Sequence, residues 1–227
     1  MTQRNLPAAV LWDMDGTLID SEPFWIAAET ALAAEHGIVW TDADSLAMVG
    51  NPLPVAARKM IARGVDRTPE AIADYLLASV TARLREDVPW QRDGRDLYFR
   101  LRGEGVPSAL VTMSYASLAE VFVAVTPGFD AVVTGDSVEH GKPHPEPYLA
   151  AAAALGVDIT QCLAIEDSPS GVGSAVASGA RAVGVRRVAP VEPLPGLSRV
   201  RSLDSLTPDA IARIMAGEVL DELGDET

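Results

Sequence analysis

Asp13 and Asp15 stand two residues apart in the stretch VLWDMDGTLIDS, where an apolar run breaks into a turn containing Gly16 and Thr17. Carboxylates held that close repel each other unless a proton or a cation lies between them. Such a pair suits a divalent metal bound through oxygen ligands. Taken alone, the two acids could equally be turn residues that cap the next helix, so their meaning depends on what the fold brings beside them.

Three further groups can be placed by the short apolar runs that precede them. Thr112 and Ser114 follow the run 109–111, Lys142 lies in a loop after the run 131–133, and Glu166 and Asp167 follow the run 162–165. Together with 8–12 and 182–185, these runs read as strands covered on both faces. Helical segments alternate with them: 96–102, then PEPYLAAAAALG closed by Gly156, then a small-residue helix after Pro169. That alternation predicts an α/β fold, a Rossmann-like, doubly wound parallel sheet. In such a sheet ligands collect at the carboxyl edge of the strands. Carboxylates, a hydroxyl and an ammonium converging there describe a site for a metal-bound phosphoryl group.

The first crossover is too long for a simple connection. After Asp20 and Ser21, either able to cap a helix, an Ala-rich segment runs to His36 and stops at Gly37. Thr68 and Pro69 open another helix, on which Ile72, Leu76, Val80 and Leu84 form one apolar stripe. Gly50, Pro52 and Pro54 mark a bend between the two. Residues 20–88 are therefore expected to form an inserted all-helical cap, with 1–19 and 89–227 making the catalytic core. Beyond the last run, 190–196 reads as an irregular loop, Thr207 and Pro208 start a final helix, and the acidic tail from Asp221 is expected to fray.

With 227 residues, 48% of them apolar, the chain can bury a full core. A net charge of −14, from 32 acidic against 18 basic side chains, argues against nucleic acid or an anionic membrane as partner. The single cysteine, Cys162, lies in an apolar run and reads as an inert buried thiol. No segment has the ~20 apolar residues of a membrane span, and the N-terminus lacks a secretory signal. A cytoplasmic protein, monomeric or weakly dimeric, is expected.

The four motifs WDMDGTLID, LVTMS, GKPHPEPY and IEDSPSG resemble, in order and spacing, those of the haloacid dehalogenase superfamily. The resemblance is to its phosphatase and β-phosphoglucomutase branch, which carries a helical cap after the first motif. It implies that Asp13 is the nucleophile that becomes an aspartyl phosphate, and that Asp15 is the general acid and base. It implies Mg²⁺ held by the Asp13 carboxylate, the Asp15 main-chain carbonyl and Asp167, with Glu166 ligating directly or through water. Thr112, Ser114 and Lys142 would then bind the phosphoryl group. An acid at position 15 sets the chain apart from true dehalogenases, which have no alkoxide to protonate.

A phosphatase acting on a small phosphorylated metabolite is the expected activity, and DGTLIDSEPFW resembles sugar-phosphate phosphatases in particular. A β-phosphoglucomutase-like mutase is the alternative. Mutases present basic residues near the cap loop that corresponds to 49–53, whereas here that loop is apolar or neutral and Arg58 and Lys59 come later. Phe24, Trp25, Gly50, Asn51 and Arg58 are the cap candidates for substrate contact. A phosphorylated receiver domain is opposed by the long helical insertion, and a catalytically dead binding protein by the intact set of groups. His140 and His144 flank Lys142, but two loop histidines with no third ligand make a poor zinc site. GDSVEHGKP departs from a P-loop in spacing and in Pro143, where a hydroxyl residue is required.

Overall fold

The four residues Ala9–Trp12 (β1) are wholly buried, as a strand covered on both faces requires. They pair in parallel with Ser108–Val111 (β2) on one side and Cys162–Glu166 (β4) on the other, Leu11 lying between Ala109 and Ala164. Ala131–Val133 (β3), Arg181–Val185 (β5) and Ser198–Val200 (β6) complete a parallel sheet of order β3-β2-β1-β4-β5-β6. The chain leaves β1 for β2 and β3, then returns to β1's other side with β4. The carboxyl end of β1 is thus a topological switch point, where α/β folds open a crevice. The computed structural model describes residues 6–48 and 53–224.

The sheet's two faces are packed differently. On one, Leu11 and Val111 meet the small-residue helices Glu146–Leu155 (α7) and Pro169–Ser178 (α8). On the other, the fully buried Trp12 ring meets Tyr98 edge-on at 5.7 Å. Tyr98 lies on the helix Arg92–Gly103 (α5), and Trp90, Phe99, Phe122 and Phe129 continue the aromatic cluster. The helix Ala116–Val125 (α6) connects β2 to β3. A last helix, Pro208–Met215 (α9), is capped by Thr207, whose hydroxyl accepts from the Ala210 N–H.

Two compact units are formed, 1–20 with 90–227, and 21–89. The second holds the helices Glu22–Glu35 (α1), Asp42–Met48 (α2), Leu53–Ala62 (α3) and Pro69–Glu86 (α4). The expected stripe of Ile72, Leu76, Val80 and Leu84 is buried, and Thr68 caps α4 through Ala71 N. Ser21 occupies the cap position of α1 but makes no capping bond with its side chain. Pro54, expected in a bend, lies in the first turn of α3, while Gly50 and Asn51 lie outside the described residues. Where the chain leaves and re-enters the sheet unit, Ile19 pairs with Trp90 and the Gln91 N–H donates to the Leu18 carbonyl at 2.8 Å.

Two features correct the sequence-based expectation. The segment 198–200 is a strand although its middle residue is an arginine. Arg199 is buried there because it donates to the Val191 and Gly224 carbonyls and pairs with Asp221 at 2.6 Å. The same pairing holds the tail in place as far as Gly224, so Asp221 does not fray.

Glu29 is a charge hidden in a helix that composition makes look plain. It is only 4% exposed, and burial, followed by repulsion from Glu22, pushes its carboxyl up to about 8. The folded state therefore keeps a proton that the unfolded glutamate, with its ordinary value of 4.5, has lost. Stability from this site is greatest below about pH 4.5 and declines as pH rises towards about 8. Thermal melts of Glu29→Gln should match wild type near about pH 4 and exceed it by a growing margin as pH approaches about 9.

Candidate active site

β1 delivers Asp13, whose N–H donates to the Ile165 carbonyl of the neighbouring strand at 3.0 Å. The carboxylate is buried, and its Oδ1 accepts from Lys142 Nζ at 2.8 Å. Its Oδ2 is buried with no hydrogen-bond partner among the described residues. The same ammonium donates to Glu166 Oε1 and, at 2.8 Å, to the Val111 carbonyl at the end of β2. One lysine therefore ties together the ends of β1, β2 and β4.

Glu166 is fully buried, yet every oxygen lone pair it needs to satisfy has a donor nearby. Oε1 accepts from Lys142 and from the Tyr148 hydroxyl at 2.8 Å. Oε2 accepts from the N–H groups of Asp167 and Ser168 and from the Ser168 hydroxyl. Ser168, rather than either acid, caps α8, accepting from Gly171 N. A Cβ on Gly171 would lie 2.0 Å from the Glu166 carboxyl, so the helix can begin there only with glycine.

Asp167 leans across the first turn. Gly16 has a φ of 93°, and a Cβ there would stand 2.1 Å from Asp167 Oδ2. Thr17 Oγ1 reaches Asp167 Oδ1 at 3.4 Å. The expected motif-two hydroxyls arrive as well, engaged with Asp15: Ser114 Oγ donates to Asp15 Oδ2 at 2.8 Å and Thr112 Oγ1 reaches it at 3.4 Å. All seven core residues singled out by sequence, from Asp13 to Asp167, therefore meet at one sheet edge. Phe24 and Trp25 lie half-buried on α1, with the Arg83 guanidinium 6.0 Å over the Phe24 ring, and Arg58 is exposed on α3.

The electrostatics call for a cation. Burial first, then the charge of Glu166, raises the Asp13 carboxyl well above its ordinary value, and the same two causes push Asp167 up to about 7. Burial alone would lower Lys142, but Asp13 and Glu166 outweigh it and hold the amine protonated. One ammonium cannot balance this many acids. Asp13, Glu166 and Asp167 each offer an oxygen, all within 4.8 Å of one another. A divalent ion bound there would replace the protons that the apo site otherwise takes up, and the unpartnered Asp13 Oδ2 is the atom such an ion fits.

Several contributors were not visible in the sequence. Tyr148 was read only as part of a helix, yet burial and then Glu166 push its hydroxyl well up, keeping it a donor. Arg187, just after β5, donates through Nε to the Gly16 carbonyl at 3.2 Å and grips Asp93 with both terminal nitrogens at 2.6 and 3.1 Å. Asp93 also accepts from Ser202 Oγ and Leu203 N at 2.9 and 2.8 Å. The only local signal was a pair of arginines, Arg186 and Arg187, following an apolar strand at the edge where the other groups gather.

Comparison with known proteins gives the family and the fold. A family model described as haloacid dehalogenase-like hydrolase matches residues 7–179. The chain is 33% identical to the fructose-1-phosphate phosphatase YqaB of Escherichia coli K12 over 192 residues, covering 79% of this chain and 96% of that one. It is 30% identical to hexitol phosphatase B of the same organism, covering 80% and 84%. A solved hydrolase of subfamily IA, variant 3, from Entamoeba histolytica shares the fold with a TM-score of 0.78 at 23% identity, covering 92% and 99%.

The Asp93 and Arg187 side chains are 9% and 14% exposed, so each is poorly hydrated without the other. Asp93→Ala is expected to lower stability by about 3 kcal/mol in urea unfolding, because it leaves a half-buried guanidinium unpaired. The double variant Asp93→Ala/Arg187→Met should recover part of that loss.

Proposed function

This chain belongs to the haloacid dehalogenase-like hydrolases, and we propose that it is a Mg²⁺-dependent phosphatase of small phosphomonoesters. The observation that carries the proposal is the asymmetry of Asp13. Lys142 occupies Oδ1 and leaves the buried Oδ2 without a hydrogen-bond partner among the described residues. With Oδ2 left for the ion, Oδ1, oriented by the Lys142 ammonium, is the oxygen that would attack phosphorus.

In this mechanism a carboxylate oxygen of Asp13 attacks the phosphorus, the P–O bond to the leaving group breaks, and an aspartyl phosphate forms. Asp15, held by Ser114 and Thr112, gives its proton to the departing alkoxide. It then takes a proton from water, which attacks the phosphorus and releases phosphate, regenerating Asp13. Thr112, Ser114 and Lys142 bind the phosphoryl oxygens in turn, Lys142 neutralising both the phosphate and the nucleophile. Asp13, Asp167 and the Asp15 main-chain carbonyl would hold Mg²⁺, which when bound offsets phosphoryl charge. Glu166, with its oxygens already accepting from protein donors, orients Lys142 and would reach the ion through water.

The named relatives suggest a phosphorylated sugar or sugar alcohol as substrate. Selectivity is assigned to the helical unit, with Phe24, Trp25, Arg58 and the segment containing Gly50 and Asn51 as the candidates. A phosphate-release screen of phosphorylated metabolites, including fructose 1-phosphate and hexitol phosphates, tests the substrate class. Interconversion of a hexose 1-phosphate and 6-phosphate pair without net phosphate release would instead mark a mutase.

Asp13→Asn should abolish turnover of a generic aryl phosphate, and near wild-type rates would sink the mechanism. Asp15→Asn should lower kcat on alkyl phosphates by about 10²–10⁴-fold. Chelation with EDTA should stop turnover in the wild type, and added Mg²⁺ should restore it.

A further inference from the structure

The loop that presents Lys142 carries a second arrangement of donors, on the outer side of the sheet unit. His140 Nδ1 lies 2.9 Å from Glu146 Oε2, His144 Nδ1 lies 3.9 Å from the same oxygen, and the two rings are 4.7 Å apart between centroids. Two histidines without a third ligand make a poor metal site. The fold supplies the third from the start of α7, six residues beyond His140.

We propose that His140, His144 and Glu146 form a second divalent-ion site, suited to a borderline transition ion such as Zn²⁺ and separate from the carboxylate centre. The ligand chemistry distinguishes the two. The carboxylate centre offers oxygen alone, as Mg²⁺ prefers, whereas two imidazoles and one carboxylate match Zn²⁺. Tetrahedral Zn²⁺ with bonds of about 2.0 Å needs its ligand atoms about 3.3 Å apart. The observed 2.9 and 3.9 Å bracket that spacing, and closing it requires the His144 ring, whose Nδ1 accepts from the Glu146 N–H at 3.2 Å, to turn and give up that bond to the ion.

Glu146 is already oriented for the task. Its Oε1 accepts from the Glu139 N–H at 2.8 Å and its Oε2 from the His140 N–H at 3.0 Å. These bonds, led by the one from Glu139, hold its carboxyl below the ordinary range. Both rings are about half exposed, which leaves open a path of entry and the fourth position for water. The ion would take the place of the proton shared between His140 Nδ1 and Glu146 Oε2. The net charge of −14 favours the approach of any cation. Lys142 lies between the two histidines in sequence, so an ion held there would fasten the loop that brings the ammonium to Asp13.

Calorimetric titration of the full chain with Zn²⁺, in excess Mg²⁺ to occupy the carboxylate centre, tests the site. One Zn²⁺ per chain is expected, weakened roughly tenfold or more in His140→Gln and in His144→Gln and unchanged in His36→Gln. On the wild type, Zn²⁺ should protect His140 and His144, and not His36, from diethyl pyrocarbonate as read by mass spectrometry. The proposal fails if both loop variants bind as tightly as wild type, if excess Mg²⁺ removes the Zn²⁺, or if the loop histidines stay reactive in its presence.

Discussion

A single buried ammonium holds the chemistry of this molecule together. Lys142 is fastened to Asp13, Glu166 and the Val111 carbonyl, so three neighbouring strands meet at one positive charge. Removing such a cation would leave two buried carboxylates facing each other, a cost far larger than a surface ion pair could represent. The surrounding features follow from that need. Tyr148 and Ser168 satisfy the remaining valences of Glu166, and glycines at 16 and 171 make room for the acids. Even so, positive charge falls short, which leaves the edge ready for a metal and a phosphoryl group.

Much of this was legible in the sequence, for a physical reason. Strands buried on both faces must be apolar throughout, so β1, β2 and β4 announce themselves, β3 at the sheet's edge and β5 beyond Arg181 keep the same apolar character, and in a parallel sheet their ends must share an edge. Asp13, Thr112 and Glu166 could be placed together without knowing any side-chain contact. β6 escaped because Arg199 interrupts its apolar run, and an arginine can be buried only with partners that sequence does not reveal, here Asp221 and two carbonyls. Glu29 escaped because nothing in an alanine-rich helix marks an acid that is buried by keeping its proton.

The partnerships missed were those between residues far apart in the chain. Arg187 and Asp93 are 94 residues apart, and neither has a neighbour that marks it out. Joined, they brace the turn that carries the two aspartates, through the Gly16 carbonyl. Glu146 is close to His140 and His144 in the chain, but only the folded loop brings the three side chains together. Motif spacing brings the candidate groups to one edge, whereas the contacts that fix their angles arise from tertiary packing.

The paired segments at Ile19 and Trp90 have a consequence of another kind. They fasten the two stems of the helical unit to each other inside the sheet unit, so the span between the stems stays fixed whatever lies beyond them. The entropic cost of closing a longer or shorter excursion there grows only slowly with its length. A lineage could therefore lengthen, trade or discard the helices as one contiguous stretch of gene without moving Asp13. In that sense the clasp makes the hydrolytic centre a socket, into which evolution can graft a different clientele.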